Sequence, residues 1–277
     1  MDRAAARAAR RRGRRGSAGA LLVLVAVVGL AGAAAAASGL SLGDWFRPRA
    51  YVEIDGHAVR IPEPAPSEGR LAPAVPVTTQ GTYAFLHTAP DGSPVGYDPC
   101  RPVRYVVRPD GMPDGGQAVL DEAASIVGAA AGLRLEYAGT TDEAPAVERT
   151  LIQPERYGDA WAPVLVAWSD EGAMPELAGD VAGVGGSAAV PGADGTGRWL
   201  AGGRVVLDAV DLGVMLERPG GRAQARALVV HELAHVLGLD HVADPGELMY
   251  PVNASRTDLG PGDLAGLALV GQASCEG

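Results

Sequence analysis

Residues 231–241 read His-Glu-Leu-Ala-His-Val-Leu-Gly-Leu-Asp-His, and this stretch decides the fold expected of the chain. On an α-helix, positions four apart lie about 40° apart on one face, so His231 and His235 can reach the same ion. His241 comes six positions after His235 and would point away on an unbroken helix. Gly238 can end the helix between them, because glycine adopts the left-handed conformation at low cost. We therefore expect the three imidazoles to share one centre.

Three neutral imidazoles around a zinc ion leave its fourth position to water, which is the arrangement of a catalytic rather than a structural site. Glu232 is not needed as a ligand, and its place beside His231 lets it take a proton from that water and pass it to a leaving amine. The alternative is a buried helix whose histidines are core residues. Chance would produce this spacing in roughly one in 10⁴ to 10⁵ chains of this composition. The pattern therefore predicts one catalytic zinc.

The spacing His-Glu-x-x-His-x-x-Gly-x-x-His resembles the zinc signature of the metzincin metalloproteases. Residues 247–251, Glu-Leu-Met-Tyr-Pro, resemble the methionine turn of the matrixin branch of that family. The resemblance implies that Met249 lies as an apolar floor beneath the zinc-binding imidazoles. The chain departs from matrixins at Ala234 and Val242, where they usually have glycine and serine. The likeness to metzincins as a whole does not depend on these two positions.

The order of strands and helices after residue 82 is the order that a metzincin catalytic domain would show. The patterns predict strands at 103–108, 133–137, 164–168 and 204–208, and helices at 117–131, from about 222, and at 262–270 after Pro261. The resemblance implies an α+β, zincin-like single catalytic domain. Its sheet would be twisted and mostly parallel with one antiparallel edge strand, beside the active-site helix, the methionine turn and a C-terminal helix.

The glycine-rich stretch from Val184 to Val190 precedes the last of these strands, where metzincins have an exposed edge strand above the cleft. The resemblance implies that an extended peptide pairs antiparallel with this edge, and that the glycines let it approach closely. The alternative is a flexible glycine-rich loop. Asn253 stands where the family usually has a tyrosine, which leaves the depth of the pocket open. The candidate substrate-binding residues are Gly186, Ser187 and Ala188 on the edge, and Tyr250 and Pro251 on the opposite wall.

The first 43 residues differ in composition from the rest of the chain. Residues 1–15 contain seven arginines and one aspartate, and an uncharged run from Ser17 to Gly43 comes after them. A basic head before an apolar stretch of about 20 residues predicts a signal peptide or an uncleaved membrane anchor, and either would export the remainder of the chain. The protein is therefore expected to be extracytoplasmic, either secreted or anchored to the outer face of the cell membrane by residues 18–37.

A short hairpin and a proline-rich linker are predicted between this head and the main domain. Residues 51–54 and 57–61 flank Asp55-Gly56, a pair that forms tight turns. Residues 62–80 contain five prolines among alanine, serine and glutamate, a composition typical of semi-extended linkers. We therefore expect three parts: the head at 1–43, the hairpin and linker at 44–81, and a metzincin-like zinc protease domain at 82–277.

Charge and cysteine content limit the partners of the chain. Outside residues 1–15 it has 16 basic and 32 acidic residues, so nucleic acid is not an expected partner, because phosphate contacts need clustered positive charge. Cys100 and Cys275 are the only cysteines, and in an exported chain they predict one disulfide bond. The alternative is that the Cys100 thiolate blocks the zinc, as the propeptide cysteine of matrixins does.

The sequence between residues 171 and 199 indicates whether the chain could bind a second metal ion. Matrixins usually hold a second, structural zinc through histidines in this region, and the chain has no histidine there, so the resemblance implies a single zinc. Asp180 and Asp194 lie among glycines and could bind calcium, although acidic loop residues are more often simply solvated.

The resulting hypothesis is an exported zinc-dependent endopeptidase, a monomer with a polypeptide substrate and a possible single-pass membrane anchor. Two alternatives remain. The first is a catalytically silent, surface-anchored metal-binding module, and the intact Glu232 counts against it. The second is a zinc hydrolase of a non-peptide substrate, which the sequence does not exclude.

Overall fold

A five-stranded sheet carries the fold of the described residues, which are 49–54, 56–252 and 256–276 of the computed structural model. The predicted basic head and apolar segment at 1–43, together with Asn253, lie outside these residues. Within the described ranges, no helix combines the length and the apolar character that crossing a membrane requires.

The strands in chain order are β1 (Tyr51–Ile54), β2 (His57–Arg60), β3 (Ala84–Phe85), β4 (Val103–Val107), β5 (Leu135–Thr140), β6 (Val164–Ser169), β7 (Gly183–Pro191), β8 (Arg198–Asp208) and β9 (Leu239–Asp240). The large sheet has the order β5-β4-β6-β8-β7. Its pairings are parallel except that β7 runs antiparallel to β8 at the edge. The predicted mostly parallel sheet with one antiparallel edge strand is confirmed. The central strand β6 is apolar on both faces, because both faces are covered.

The helices are α1 (Gly116–Ala131), α2 (Pro154–Tyr157), α3 (Ala209–Glu217), α4 (Gly221–Leu237) and α5 (Pro261–Val270), with a short 3₁₀ turn at Pro175–Leu177. Helices α1 and α4 contact each other and share one core with the sheet, in which Val127, Leu233 and Val205 are fully or almost fully buried. On the other face of the sheet, Tyr157 packs against a small cluster that contains Leu165. The helix predicted to carry His231 and His235 is α4. Because α4 belongs to this core, its packing fixes it against the sheet.

The main differences from the sequence-based predictions lie in two strands and one helix. Strand β5 spans Leu135–Thr140 rather than residues 133–137. Strand β8 begins at Arg198 rather than at residue 204. The earlier start was not predicted, because Gly202 and Gly203 interrupt the apolar pattern and glycines inside a strand usually indicate a break. Helix α3 was not predicted, since its valines and Gly213 are weak helix formers. The structure shows that the Asp208 side chain accepts hydrogen bonds from the backbone N–H groups of Val210 and Asp211 and so begins this helix.

The proline-rich segment at 62–80 contacts the main domain. Arg70 donates from Nη1 to the Gly271 carbonyl at 2.8 Å and from Nη2 to the Gly132 carbonyl at 3.1 Å. The Leu71 N–H donates to the Pro99 carbonyl. The described residues from Arg49 onward form one compact unit. The segment is therefore fixed to the body at these points, while the domain boundary at residue 82 stays a prediction.

Cys100 and Cys275 are joined by a disulfide bond, as predicted, with their Cα atoms 5.5 Å apart. The bond ties the residues just before β4 to the segment after α5. Because the Cys100 sulfur is bonded to Cys275, the alternative in which Cys100 blocks the zinc is not the arrangement of this structure.

Candidate metal centre

Helix α4 presents two of the three candidate ligands, and the turn after it presents the third. His231 and His235 lie one helical turn apart. The helix ends at Gly238, whose φ of 114° is in the left-handed region that favours glycine. Strand β9 then carries the chain back, held by its pairing with β3. His241 comes directly after β9, so the local backbone geometry is the one that the spacing predicted.

The three Nε2 atoms form a nearly equilateral triangle. His231 and His235 are 3.1 Å apart at these atoms, His231 and His241 are 3.1 Å apart, and His235 and His241 are 3.2 Å apart. Tetrahedral zinc with Zn–N bonds of about 2.0–2.1 Å separates its nitrogen ligands by about 3.3–3.4 Å. The side chains therefore fit a tetrahedral zinc ion to within a few tenths of an ångström.

Backbone carbonyls set which ring nitrogens face the centre. The Nδ1 atom of His231 donates to the Leu248 carbonyl at 2.8 Å, and the Nδ1 atom of His235 donates to the Leu239 carbonyl at 2.8 Å. A carbonyl only accepts hydrogen bonds, so the proton of each ring lies on Nδ1 and the Nε2 lone pair points to the centre. Converging lone pairs repel one another unless a cation lies between them. This donor set is therefore suited to a metal ion.

Burial also keeps the rings in the neutral form that binds a metal. It lowers the pKa of His231 to about 3 and that of His235 to about 4, and it lowers the pKa of the more exposed His241. Mutual repulsion between the rings adds to the effect for His231 and His235. Neutral imidazole is the ligand form. Burial therefore favours the neutral, metal-binding form of all three rings.

Among the described residues, only one other group of side chains could supply three ligands to one ion, namely Asp98, Cys100 and Cys275, and its two cysteines form the disulfide. The predicted calcium ligands, Asp180 and Asp194, belong to no such group. Asp194 instead accepts hydrogen bonds from the backbone and hydroxyl of Thr196. The calcium hypothesis is therefore not supported.

Glu232 lies beside His231 with only 4% of its surface exposed and lines the same cavity as the three histidines. Its side chain packs against β7: a Cβ atom placed on Gly183 would be 2.9 Å from Glu232 Cγ. Burial raises the pKa of the Glu232 carboxyl to about 8. A pKa near neutral pH suits a group that must both accept and return a proton. Glu232 therefore shares a cavity with the three histidines, and its role as the base stays a prediction.

The methionine turn supports the first histidine through its backbone. Met249 is buried, and its carbonyl accepts a hydrogen bond from Val242 N–H at 3.0 Å. The preceding carbonyl, that of Leu248, is the acceptor for His231 Nδ1. The turn thus fixes the orientation of one ligand ring as well as contributing an apolar residue to the core.

Two buried carboxylates that the sequence analysis did not identify hold this turn. Asp263 accepts hydrogen bonds from the N–H groups of Leu248, Met249 and Gly260 at 2.5, 3.2 and 2.7 Å. Glu247 accepts from Gly262 at 2.9 Å and Asp263 at 3.1 Å at the start of α5, and from Thr82 at 3.3 Å. Burial raises the pKa of Asp263. An acidic residue in the first turn of a predicted helix was the available signal for Asp263.

The predicted substrate-binding residues meet around one cavity of about 910 Å³, which also contains the three histidines and Glu232. They come from two sides, Gly186, Ser187 and Ala188 from β7, and Tyr250 and Pro251 from the segment after Met249. Strand β7 is the edge of its sheet, so its outer backbone edge faces the cavity side without a neighbouring strand among the described residues. Their role in binding a substrate stays a prediction.

Gly185 of β7 is required by the close approach of α4. A Cβ atom at Gly185 would lie 2.3 Å from the Glu232 carbonyl oxygen, whereas a Cβ atom at Gly186 would meet nothing within 4 Å. That the glycines let a substrate approach this edge stays a prediction. The Ser187 hydroxyl donates to the Val236 carbonyl at 2.9 Å and so is turned toward the helix.

Comparison with known proteins identifies one family. The matrixin family model matches residues 178–268, a range that includes β7, α4, the methionine turn and most of α5. A search of the curated proteins found no match.

Two solved structures show a weak likeness. The GM1-bound form of the ECX AB5 holotoxin has 13% identity and a TM-score of 0.35 over 63% of this chain and 82% of that chain. High choriolytic enzyme 1, a hatching enzyme zinc-protease from the medaka fish Oryzias latipes, has 15% identity and a TM-score of 0.22 over 57% of this chain and 50% of that chain. Both TM-scores are below 0.5, so neither likeness bears on the fold or the function. The family match and the histidine geometry together show that the chain resembles the matrixin branch of the metzincins over residues 178–268.

Proposed function

We propose that this protein is an extracytoplasmic zinc-dependent endopeptidase. The matrixin match supports a zinc metalloprotease in general. The observation that carries the more specific proposal is the convergence of three Nε2 atoms within 3.2 Å of one another in a cavity that also contains a buried glutamate. A structural zinc site would fill the fourth position with a further protein ligand, whereas Glu232 lies nearby as an acid or base.

In this mechanism, the role of each residue follows from its contacts. Zinc, when bound by the three histidines, supplies a Lewis acid that polarises a peptide carbonyl and lowers the pKa of water. The Nδ1 hydrogen bonds of His231 and His235 hold their rings in the ligand tautomer. Glu232 accepts a proton at its carboxylate from the attacking water and returns it to the leaving amine. The buried surroundings of Glu232 keep bulk water from competing for that proton.

The substrate in this proposal is a polypeptide in an extended conformation. Among the described residues, no strand pairs with the outer edge of β7 beside the histidines. An extended peptide can add to such an edge through backbone hydrogen bonds. Gly186 and Ala188 would pair with the peptide backbone, and Tyr250 and Pro251 would form the facing wall. Backbone pairing recognises no particular side chain, so it suits an enzyme that cleaves within chains.

The location proposed for the enzyme is outside the cytoplasm, either secreted or anchored by residues 18–37. The disulfide bond between Cys100 and Cys275 supports it, because such bonds persist in oxidising compartments. The basic and apolar composition of residues 1–43 supports export as well.

The proposal is tested by incubating the exported protein with an unfolded polypeptide. We expect internal cleavage that a zinc chelator stops and that added zinc restores. Zinc content is measured on the same samples, so that loss of activity can be assigned to loss of the metal. Protein that holds one zinc ion per chain and cleaves no polypeptide would exclude the proposed function.

A further inference from the structure

The edge strand β7 faces a bulge in its neighbour β8 directly beside the histidine site. The two strands pair regularly up to Gly186 opposite Arg204, and pairing resumes with Ala188 opposite Ala201. Ser187 therefore stands alone opposite two residues, Gly202 and Gly203. Gly202 has a φ of 62°, the left-handed conformation typical of glycine in one class of β-bulge. Bulges redirect side chains, and this one lies opposite Ser187.

The Ser187 side chain and backbone are both engaged by groups outside the sheet. Its Oγ donates to the Val236 carbonyl of α4 at 2.9 Å. Because that hydroxyl proton is used, the Tyr97 hydroxyl must be the donor in its 2.7 Å hydrogen bond to Ser187 Oγ. The Ser187 carbonyl accepts from His87 Nε2 at 3.1 Å. We name Ser187, Tyr97, His87 and the Val236 carbonyl the Ser187 clamp.

The clamp satisfies a polar group that the helix leaves unpaired. The last four carbonyls of an α-helix have no partner within the helix, and Val236 lies one residue before the end of α4. Ser187 Oγ supplies a partner for this carbonyl. Strand β7 and helix α4 are therefore joined by a hydrogen bond in the same turn that carries His235, as well as by the close packing of Gly185 on Glu232.

A buried ion pair fixes the bulge from its other side. Arg149 donates from Nη1 to the carbonyls of Gly202 and Gly203 at 3.1 and 3.0 Å. Its other nitrogens bind the Glu143 carboxylate at 2.7 and 2.8 Å, and the two side chains are only 4% and 7% exposed. The carbonyls that the bulge removes from the sheet are thus paired. The bulge cannot relax without breaking these bonds, so Ser187 keeps its place against the helix.

We propose that Ser187 is a positioning residue for the binding of extended peptides. It does not contact the substrate through its hydroxyl, but fixes the outer edge of β7 at a set distance from the histidines. This inference rests on the proposed function. Each backbone hydrogen bond between a peptide and β7 depends on that distance, so a strand that is free to move by about 1 Å aligns a long peptide poorly. A short peptide, which makes few of these bonds, depends on it less.

Peptide binding to a protein that does not cleave tests the proposal. Three proteins are compared: Glu232→Gln alone, and the same change combined with Ser187→Ala or with Tyr97→Phe. For each protein, the dissociation constants of a peptide of about four residues and a peptide of about ten residues are measured. The ratio of the two constants is the readout. We expect Ser187→Ala to reduce the preference for the longer peptide about tenfold, and Tyr97→Phe to reduce it about threefold, because Tyr97→Phe leaves the Ser187 hydroxyl bonded to the Val236 carbonyl.

Tyr105→Phe, combined with the same Glu232→Gln change, is the matched control. It removes a tyrosine hydroxyl on β4, which lies three strands away from β7 in the sheet, where the ring packs against Tyr137. We expect it to leave the length preference unchanged. If Ser187→Ala keeps the length preference of the parent, or changes it no more than Tyr105→Phe does, Ser187 has only a structural role.

The same series separates this inference from the proposed function. A wild-type protein that cleaves peptides while Ser187→Ala retains the length preference contradicts the positioning role alone. A wild-type protein that contains zinc but neither binds nor cleaves any peptide contradicts both.

Discussion

Alanine at Gly185 is expected to force apart the edge strand and the active-site helix. The added Cβ atom would lie 2.3 Å from the carbonyl oxygen of Glu232, 2.9 Å from its carbonyl carbon and 3.0 Å from its Cα. These are backbone atoms, which cannot rotate away as a flexible side chain can. Since non-bonded heavy atoms pack at about 3.5 Å or more, strand β7 and helix α4 must separate by about 1 Å.

The size of the effect depends on this overlap. Overpacking a core contact typically costs about 1–3 kcal/mol in the free energy of unfolding, and an overlap with three backbone atoms places Gly185→Ala near the upper end. The catalytic cost is of similar size, because a shift of about 1 Å in Glu232 relative to a bound peptide can lower kcat/KM about 100-fold, which corresponds to about 2.7 kcal/mol. Both losses have the same cause, so they should appear together.

The free energy of unfolding is measured with denaturant for the wild type, Gly185→Ala and Gly186→Ala. A chelator is present throughout, so that metal binding does not contribute to the stability. Gly186 is the matched control, because a Cβ atom there meets no heavy atom within 4 Å. Its free energy of unfolding should change by less than about 0.5 kcal/mol. Equal stability of the two variants would refute the inference that Gly185 is required by the approach of the helix.

Three further predictions concern the metal ligands, the support of the methionine turn and the disulfide bond. Alanine at any one of the three histidines should reduce zinc content severely in elemental analysis, since two imidazoles leave an incomplete site, and full occupancy in all three variants would contradict the ligand assignment. Asp263→Ala leaves three buried N–H groups without an acceptor and should cost about 3–5 kcal/mol in chemical denaturation, with zinc bound about 10–100-fold more weakly. An unchanged unfolding midpoint would show that Asp263 does not hold the methionine turn. Thiol titration of exported, unreduced protein should find Cys100 and Cys275 both blocked, and two reactive thiols would rule out the disulfide bond.

The ligand geometry could be predicted from the sequence because it is local. His231 and His235 are placed by the period of one helix, and His241 comes after a turn whose left-handed glycine is visible in the sequence. The strand β6 could be predicted for a similar reason, since a buried parallel strand forms a continuous apolar run. These features need no information about distant parts of the chain.

The support of the site could not be predicted, because it depends on contacts between segments that are far apart in the sequence. Asp263 binds the methionine turn only after α5 has packed beside it. The pattern of β7 showed glycines, but not that the neighbour requiring them at Gly185 is the backbone of Glu232. The sequence did not show that a bulge in β8 leaves Ser187 opposite two residues, with its hydroxyl bound to the Val236 carbonyl.

The central claim is that Glu232 acts as the base beside a zinc ion held by three histidines. The cleavage rate of an unfolded polypeptide by Glu232→Gln, measured at equal zinc content to the wild type, tests it most directly. Glutamine keeps the shape of the side chain and the metal but cannot accept the proton. We expect one zinc ion per chain in both proteins and a rate lowered by about 10²–10⁴-fold in the variant. Zinc-loaded Glu232→Gln that cleaves at the wild-type rate would contradict the claim.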